Sequence, residues 1–304
     1  RGEQAERDQK FAETLCKNND VTCITVCEPV EMIAKENGWS VEEAGRIVRY
    51  QKFEEIRKAV AADVVAVAHN ANDTAETMLF HLFRGTGISG LAGIAPANGT
   101  IVRPLLCVTR EEIEEYLSGE GLSFITDESN FSMDYTRNRI RHKILPEAEI
   151  INEKAVLHMG KTAEYLREAE EYLSMMEEKY YKEVCRRDGT GSVTILTAAL
   201  SQIPAIMQKR ICLRVLKEVS GKQKDIASVH VTDLHQLCQN QSGRKLSFPY
   251  GMSAEKEYDS VTVEKKPVQE IENYGKMEPV MLEQQGEILI PQMNAVFRYS
   301  VEEV

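Results

Sequence analysis

AHNANDTAETMLFHLFRGTGISGLAGI, residues Ala68–Ile94, decides the reading of this chain. A β-branched apolar run, Val64 to Val67, leads into it. His69, Asn70, Asn72 and Asp73 follow, then a helical stretch carrying Glu76, then a glycine-rich turn. Strand, polar cluster and helix in that order mark the carboxyl end of a strand in an open parallel sheet, where ligands bind.

Asp73 and Glu76 stand three apart, so both carboxylates share one face of a first helical turn. Two readings are open. Asp73 can be the N-cap, with Glu76 as its reciprocal capping residue. Alternatively, the two form an anionic pair suited to a cationic ligand or the amino groups of a base. His69 ends the strand, as a local hydrogen-bond partner or a catalytic group. Gly85-Thr86-Gly87-Ile88-Ser89-Gly90 spells G-x-G-x-x-G. It follows a helix, whereas a dinucleotide fingerprint needs strand, turn and helix. Gly85 instead reads as a left-handed helix cap.

Working outward, Gln4 to Asn18 reads as helix and Val21 to Cys27 as a short strand. Cys23 and Cys27 fall on one face of that strand and read as buried thiols. Ser40 to Ala61 is a long helix with a Ser40/Glu43 capping box. Asp63 to Ala68 is a strand of the fully buried type. Ala71 to Arg84 is a helix, Ile101 to Leu106 a strand broken by Pro104, and Thr109 to Ser118 a helix capped by Thr109 and Glu112. Strands alternating with helices predict a parallel α/β sheet.

From Asn152 to Arg187 nearly every residue permits helix, with a break expected near Gly160. Asp188 to Gly191 is a turn, Val193 to Leu196 a strand, and Pro204 to Val219 and Ile226 to Asn240 helices. From Arg244 onward the pattern is β. Boundaries fall near 146–152 and near 265, at the Lys265-Lys266-Pro267 linker. The domains read as 1–148, 149–265 and 266–304.

The 304 residues carry a net charge of −11 and seven cysteines without a CxxC pair. Dispersed, odd-numbered cysteines read as reduced and cytoplasmic, not as a disulfide framework or a zinc site. No apolar run reaches the roughly 18 residues of a membrane helix. Overall acidity argues against nucleic acid, but local charge decides. Tyr135 to Lys143, YTRNRIRHK, holds Arg137, Arg139, Arg141, His142 and Lys143 with no acid among them. It is a solvated helix face or a phosphate-contacting segment. Arg49, late in the second helix, reads as a surface arginine.

These pieces occur in order in one family. HNANDTAET (69–77), RGTGISGLAGI (84–94), RPLL (103–106), DESN (127–130) and YTRNRIR (135–141) resemble the motifs of the tRNA(Ile)-lysidine synthetases, members of the PP-loop ATP pyrophosphatases. The resemblance implies an α/β fold. Its first part is a parallel-sheet PP-loop ATPase-like (adenine nucleotide alpha hydrolase-like) domain; a helical/α+β tRNA-binding domain follows, then the β-rich start of a C-terminal domain. In the family, ATP with Mg²⁺ adenylates the C2 oxygen of the wobble cytidine of tRNA(Ile) bearing a CAU anticodon. Free L-lysine then attacks C2 and AMP leaves.

The resemblance places Asp73, Glu76 and Arg49 in catalysis. It places His69, Arg84, Arg137, Asn138, Arg139 and Arg141 against substrate or tRNA. It admits a homodimer and implies no membrane. Asn70 stands where the family has a second histidine, and Asn72 where an acid is common. The family's phosphate loop, S-G-G-x-D-S, occurs nowhere in these residues. The first strand, that loop and the first helix are therefore expected to be missing, and residues 1–304 alone are expected not to adenylate RNA. Other readings are a different PP-loop enzyme, such as a thiolase, or a non-catalytic RNA-binding paralogue.

Overall fold

The computed structural model describes residues 2–125, 136–189, 191–222, 226–265, 285–290 and 295–300. The chain divides into two compact units, Arg1–Tyr172 and Leu173–Val304.

The first unit opens with α1 (Gly2–Asn18), α2 (Val30–Asn37) and α3 (Val41–Ala59). Helix α2 begins after Pro29 and ends at Gly38, which adopts φ +66° and donates to Ala34 and Lys35 carbonyls. Ser40 caps α3 by accepting from the Glu43 N–H at 3.1 Å. Between α1 and α2, residues 21–27 form neither helix nor strand. Val21, Ile24 and Val26 remain about half exposed, and Cys23 and Cys27 are exposed rather than buried. β propensity needs a ladder partner and a surface to pack on. Neither meets this segment among the described residues.

A small three-stranded sheet follows, built from β1 (Val65–Ala66), β2 (Ala97–Asn98) and β3 (Ile101–Val102) in the order β1-β3-β2. β1 and β3 run parallel, with Val65 opposite Ile101, and β2 returns antiparallel. The parallel pair is as expected, but β1 is shorter than 63–68 and partly exposed; Val64 is exposed. β1 is an edge strand of this sheet, and a strand is buried on both faces only where helices cover both sides of its sheet.

Helix α4 (Ala71–Phe83) starts at the end of β1, and α5 (Ile88–Leu91) forms within the glycine-rich turn. α6 (Arg110–Gly119) has the expected box. Thr109 accepts from Glu112 N–H, and the Glu112 carboxylate accepts from Thr109 N–H. DESN and Tyr135 lie outside the described residues. α7 (Thr136–Arg139) passes into a π-helical turn (Ile140–Ile144) and then α8 (Leu145–Ile151). A small core joins these elements. Ala71 and Ala75 of α4 pack with Ile140, Leu145 and Val156, flanked by Leu79, Phe80, Ile144 and Met159.

Helix α9 (Ala155–Val184) runs unbroken for 30 residues, and Gly160 does not interrupt it. A single helical glycine costs only about 1 kcal/mol relative to alanine. The helix ends earlier than Arg187, because Cys185–Arg187 form β4 instead.

In the second unit, β4, β5 (Val193–Leu196), β6 (Lys245–Phe248), β7 (Met252–Lys256) and β8 (Ser260–Lys265) make an antiparallel sheet in the order β4-β5-β8-β7-β6. Val193 and Ile195 alternate with Thr194 and Leu196, burying one face. Between β5 and β6 come α10 (Thr197–Ser201), α11 (Ala205–Ser220) and α12 (Ser228–Gln239). Met207, Ile211, Val215 and Leu216 of α11 and Leu234 and Leu237 of α12 bury into the core that also takes the inner sheet face. Tyr181 donates to Glu218 at 2.7 Å while Arg214 stands 4.0 Å from its ring centre. Burial pushes the Tyr181 phenol up to about 12. β9 (Gln285–Ile290) and β10 (Ala295–Ser300) form a separate antiparallel hairpin. No described helix is long and apolar enough to cross a membrane.

Candidate active site

The N-terminus of α4 lies where β1 ends, and its capping decides what the carboxylates can do. Asn70 is the N-cap: its side chain accepts from Asp73 N–H at 3.2 Å, and Asp73 Oδ2 accepts from Asn70 N–H at 2.9 Å. Asp73 is thus the reciprocal residue of the box rather than its cap, and Glu76 takes no part in it. Asn72 reaches across to α6, where its Oδ1 accepts from Arg110 N–H at 2.9 Å. Ala71 N–H donates to Val108 O nearby. The two asparagines therefore fix the start of α4 and the start of α6.

Capping uses one oxygen of Asp73, and the other faces Arg141. Arg141 Nη2 lies 3.4 Å from Asp73 Oδ1. Its Nε and Nη2 donate to the two oxygens of Glu76 at 2.6 and 3.1 Å. The readings of Asp73 as a cap residue and as a ligand group hold together.

Glu76 is 3% exposed. Burial raises its carboxyl above the usual range, and the Arg141 guanidinium opposes that rise. The π-helical turn carries Arg141, and such insertions in helices recur at functional sites. Together the three side chains keep one net negative charge, two carboxylates against one guanidinium. Arg137 adds its positive charge to the field at Glu76.

His69 sits beside this centre. Its Nδ1 is buried without a hydrogen-bond partner among the described residues. Burial holds the imidazole below its usual range; Asp73 opposes this, and the charges of Arg103, Arg46 and Arg137 add to it. Arg84 and Arg137 both approach the Phe80 ring, at 5.0 and 5.6 Å from its centre. Arg137 also meets Glu42 at 3.6 Å. Asn138 is half-buried and Arg139 exposed on α7. Arg49 is exposed on α3 and makes no hydrogen bond or ion pair with Asp73, Glu76 or Arg141 among the described residues.

The glycine-rich turn is held from two sides. Arg103 Nη1 donates to Ala95 O at 2.8 Å, and Arg167 of α9 to Ala92 O and Ile94 O at 3.3 and 3.2 Å. Gly85 has φ +72° and Gly93 φ +64°. A Cβ on Gly93 would stand 2.8 Å from Thr74 Cγ2 and 3.3 Å from Ala163 Cβ, so this turn lies directly on α4 and α9. Arg167 and Phe80 escape a reading of motifs alone. The i, i+4 spacing of Phe80 and Arg84 was the available signal for Phe80; Arg167 had none.

Residues 2–148 match the family model of the PP-loop domain. The chain is 38% identical over 271 residues to a tRNA(Ile)-lysidine synthase of Caldanaerobacter subterraneus subsp. tengcongensis, covering 89% of this chain and 58% of that protein. It is 34% identical over 267 residues to that of Bacillus subtilis, covering 86% and 56%. It is 45% identical over 166 residues to that of Bacteroides thetaiotaomicron, covering 55% and 39%. The chain thus spans little more than half the length of these relatives at most. Residues 2–148 are thus similar to the PP-loop domain, and the relatives the chain resembles along most of its length are tRNA(Ile)-lysidine synthases.

Proposed function

We propose that the protein is a cytoplasmic ligase that joins free L-lysine to C2 of the wobble cytidine of tRNA(Ile) with a CAU anticodon, using ATP and Mg²⁺. The observation that carries this reading is the closure of Arg141 on Glu76 and Asp73 across 65 and 68 residues of sequence. It sets a pair of carboxylates, one of them buried, next to His69.

In this reading Asp73 and Glu76 bind the lysine ammonium. Glu76, made more basic by burial, accepts the proton at a carboxylate oxygen that the amine must lose before it attacks. Arg141 is a positioning residue that keeps the two carboxylates apart and oriented. Arg49 enters from α3, and Arg84, Arg137, Asn138 and Arg139 meet the tRNA. The PP-loop domain takes residues 1–148, with tRNA-binding elements over 149–265 and a further domain from 266.

The N-terminus of α4 does not fit the phosphates of ATP. The helix N-terminus at the end of β1, the natural anion site of such a sheet, is closed by the Asn70 side chain and the Asp73 carboxylate. A carboxylate there repels phosphate. No step through ATP is therefore assigned to these side chains. No three described His, Cys, Asp or Glu side chains group to hold a metal ion.

The test uses the full-length protein with ATP, Mg²⁺, labelled lysine and transcribed tRNA(Ile). Label should appear on the wobble cytidine and be lost when that base is replaced by uridine. Label on both transcripts, or on neither, would overturn the reading.

A further inference from the structure

The core of the second unit holds three thiols that lysine transfer does not use. Cys185 of β4, Cys212 of α11 and Cys238 of α12 all lie in it. Cys212 is fully enclosed, at 0% exposure, whereas Cys238 keeps 7%. Helix α11 packs on α12, and a hydrogen bond joins the Cys212 and Cys238 thiols. That bond and burial push the Cys212 thiol above its usual range, so it keeps its proton. Burial likewise pushes Cys185 up to about 12. Cys238 differs from both in what it borders. It lines a cavity of about 310 Å³ formed by α10, α11 and α12, with Thr197, Ser201, Gln208 and Gln239 beside it. Ser201 and Gln239 are exposed, so the cavity is open to solvent at that side. Neither Cys185 nor Cys212 lines it.

We infer that Cys238 is a site of oxidation by hydroperoxides, reached through this cavity, and that Cys212 is its resolving thiol. Cys238 first gives up its proton to solvent, because the thiolate is the reactive form. Its sulfur attacks one peroxide oxygen, the O–O bond breaks, and the leaving hydroxide takes up a proton as water. The sulfenic acid left on Cys238 can condense with a neighbouring thiol. Cys212 Sγ attacks the Cys238 sulfur, the S–O bond breaks, and the Cys212 proton leaves with the oxygen as a second water. The two thiols lose two electrons and one peroxide gains them. The existing contact makes the second step intramolecular, which gives it a high effective concentration. In a reducing compartment such bonds are transient and redox-sensing. The inference goes beyond lysine transfer and does not rest on it.

The experiment treats the reduced, full-length protein with hydrogen peroxide, then unfolds it, alkylates the remaining thiols and maps every cysteine peptide by mass spectrometry. The peptides bearing Cys212 and Cys238 should lose their alkylated forms together and appear joined, lighter by two hydrogens than their sum. Dithiothreitol added before alkylation should restore both. In Cys212→Ala, Cys238 should persist as a sulfenic acid that dimedone traps. In Cys238→Ala, Cys212 should remain a thiol, since no oxidant reaches it. Cys16 and Cys23 form a second thiol contact nearer the surface. Oxidation there, with Cys212 and Cys238 still fully alkylated, would overturn the site. A bond from Cys238 to Cys185 would overturn the part given to Cys212. Oxidised Cys212 in Cys238→Ala would overturn the route through the cavity. If either variant does not fold, the wild-type map alone decides the site.

Discussion

Arg141 and Glu76, 65 residues apart in sequence, are joined by two parallel hydrogen bonds of 2.6 and 3.1 Å. Glu76 is almost fully enclosed, whereas the Arg141 side chain keeps a quarter of its exposure. The pair ties the π-helical turn to the second turn of α4. Arg141 is also the cation that hydrogen-bonds to Glu76 among the described residues.

Removing that partner should therefore be costly. Arg141→Gln is expected to destabilise the protein by roughly 3 kcal/mol, the lower end for breaking a buried ion pair, because Arg141 is partly hydrated. Arg141→Lys should not restore the loss, since an ammonium cannot meet both oxygens in the fork geometry. The double variant Glu76→Gln/Arg141→Gln should be more stable than the sum of the single variants predicts. Urea unfolding of the four proteins measures this, and additive losses would show that the two residues are not coupled.

The raised carboxyl of Glu76 gives a second test, with a definite sign. In the unfolded chain the group titrates near 4.5, and in the folded protein it titrates higher. Between those values the folded state holds a proton that the unfolded state has lost. Stability falls with rising pH wherever the folded state binds more protons. The wild type should therefore lose stability relative to Glu76→Gln as pH rises from 4.5 through the folded value. Unfolding free energies across pH 4.5 to 7 measure the difference. A wild type that gains on the variant over this range would show that Arg141, not burial, governs the carboxyl.

The two left-handed glycines of the turn differ in their surroundings, and that difference is testable. Gly85 has open space where a Cβ would stand, whereas Gly93 faces Thr74 and Ala163 at 2.8 and 3.3 Å. Gly85→Ala should cost about 1 kcal/mol, for backbone strain alone. Gly93→Ala should cost about 1–3 kcal/mol more, for overpacking. Thermal unfolding of the two variants orders them. Equal shifts would mean that the turn does not rest on α4 and α9.

Local features were the legible ones. Ser40, Thr109 with Glu112, and Gly85 declare helix ends through interactions within four residues, and each is found where expected. Residues 21–27 show the converse, since a β-branched run becomes a strand only where another strand lies beside it. Asp73 was open to two readings because spacing does not tell which asparagine or aspartate is the cap. The fold settles this by giving one oxygen to Asn70 and turning the other toward Arg141. The motifs pointed separately to Glu76 and Arg141, but only the packing of the π-helical turn on α4 joins them. Arg167 was invisible, since its task is to meet carbonyls some 75 residues away.

The central claim is that the carboxylates of Asp73 and Glu76 carry lysine transfer. The direct measurement is lysine incorporation into tRNA(Ile) by the full-length protein and its Asp73→Asn and Glu76→Gln variants, with tRNA binding followed in parallel. Asn keeps an acceptor for the capping box, and Gln keeps the volume at Glu76, so folding is retained. Incorporation is expected to fall at least about 10²-fold in each, the scale of a positioned acid–base group, while tRNA affinity stays within about twofold by the additive scatter of distant contacts. Near-normal incorporation in both variants would contradict the account.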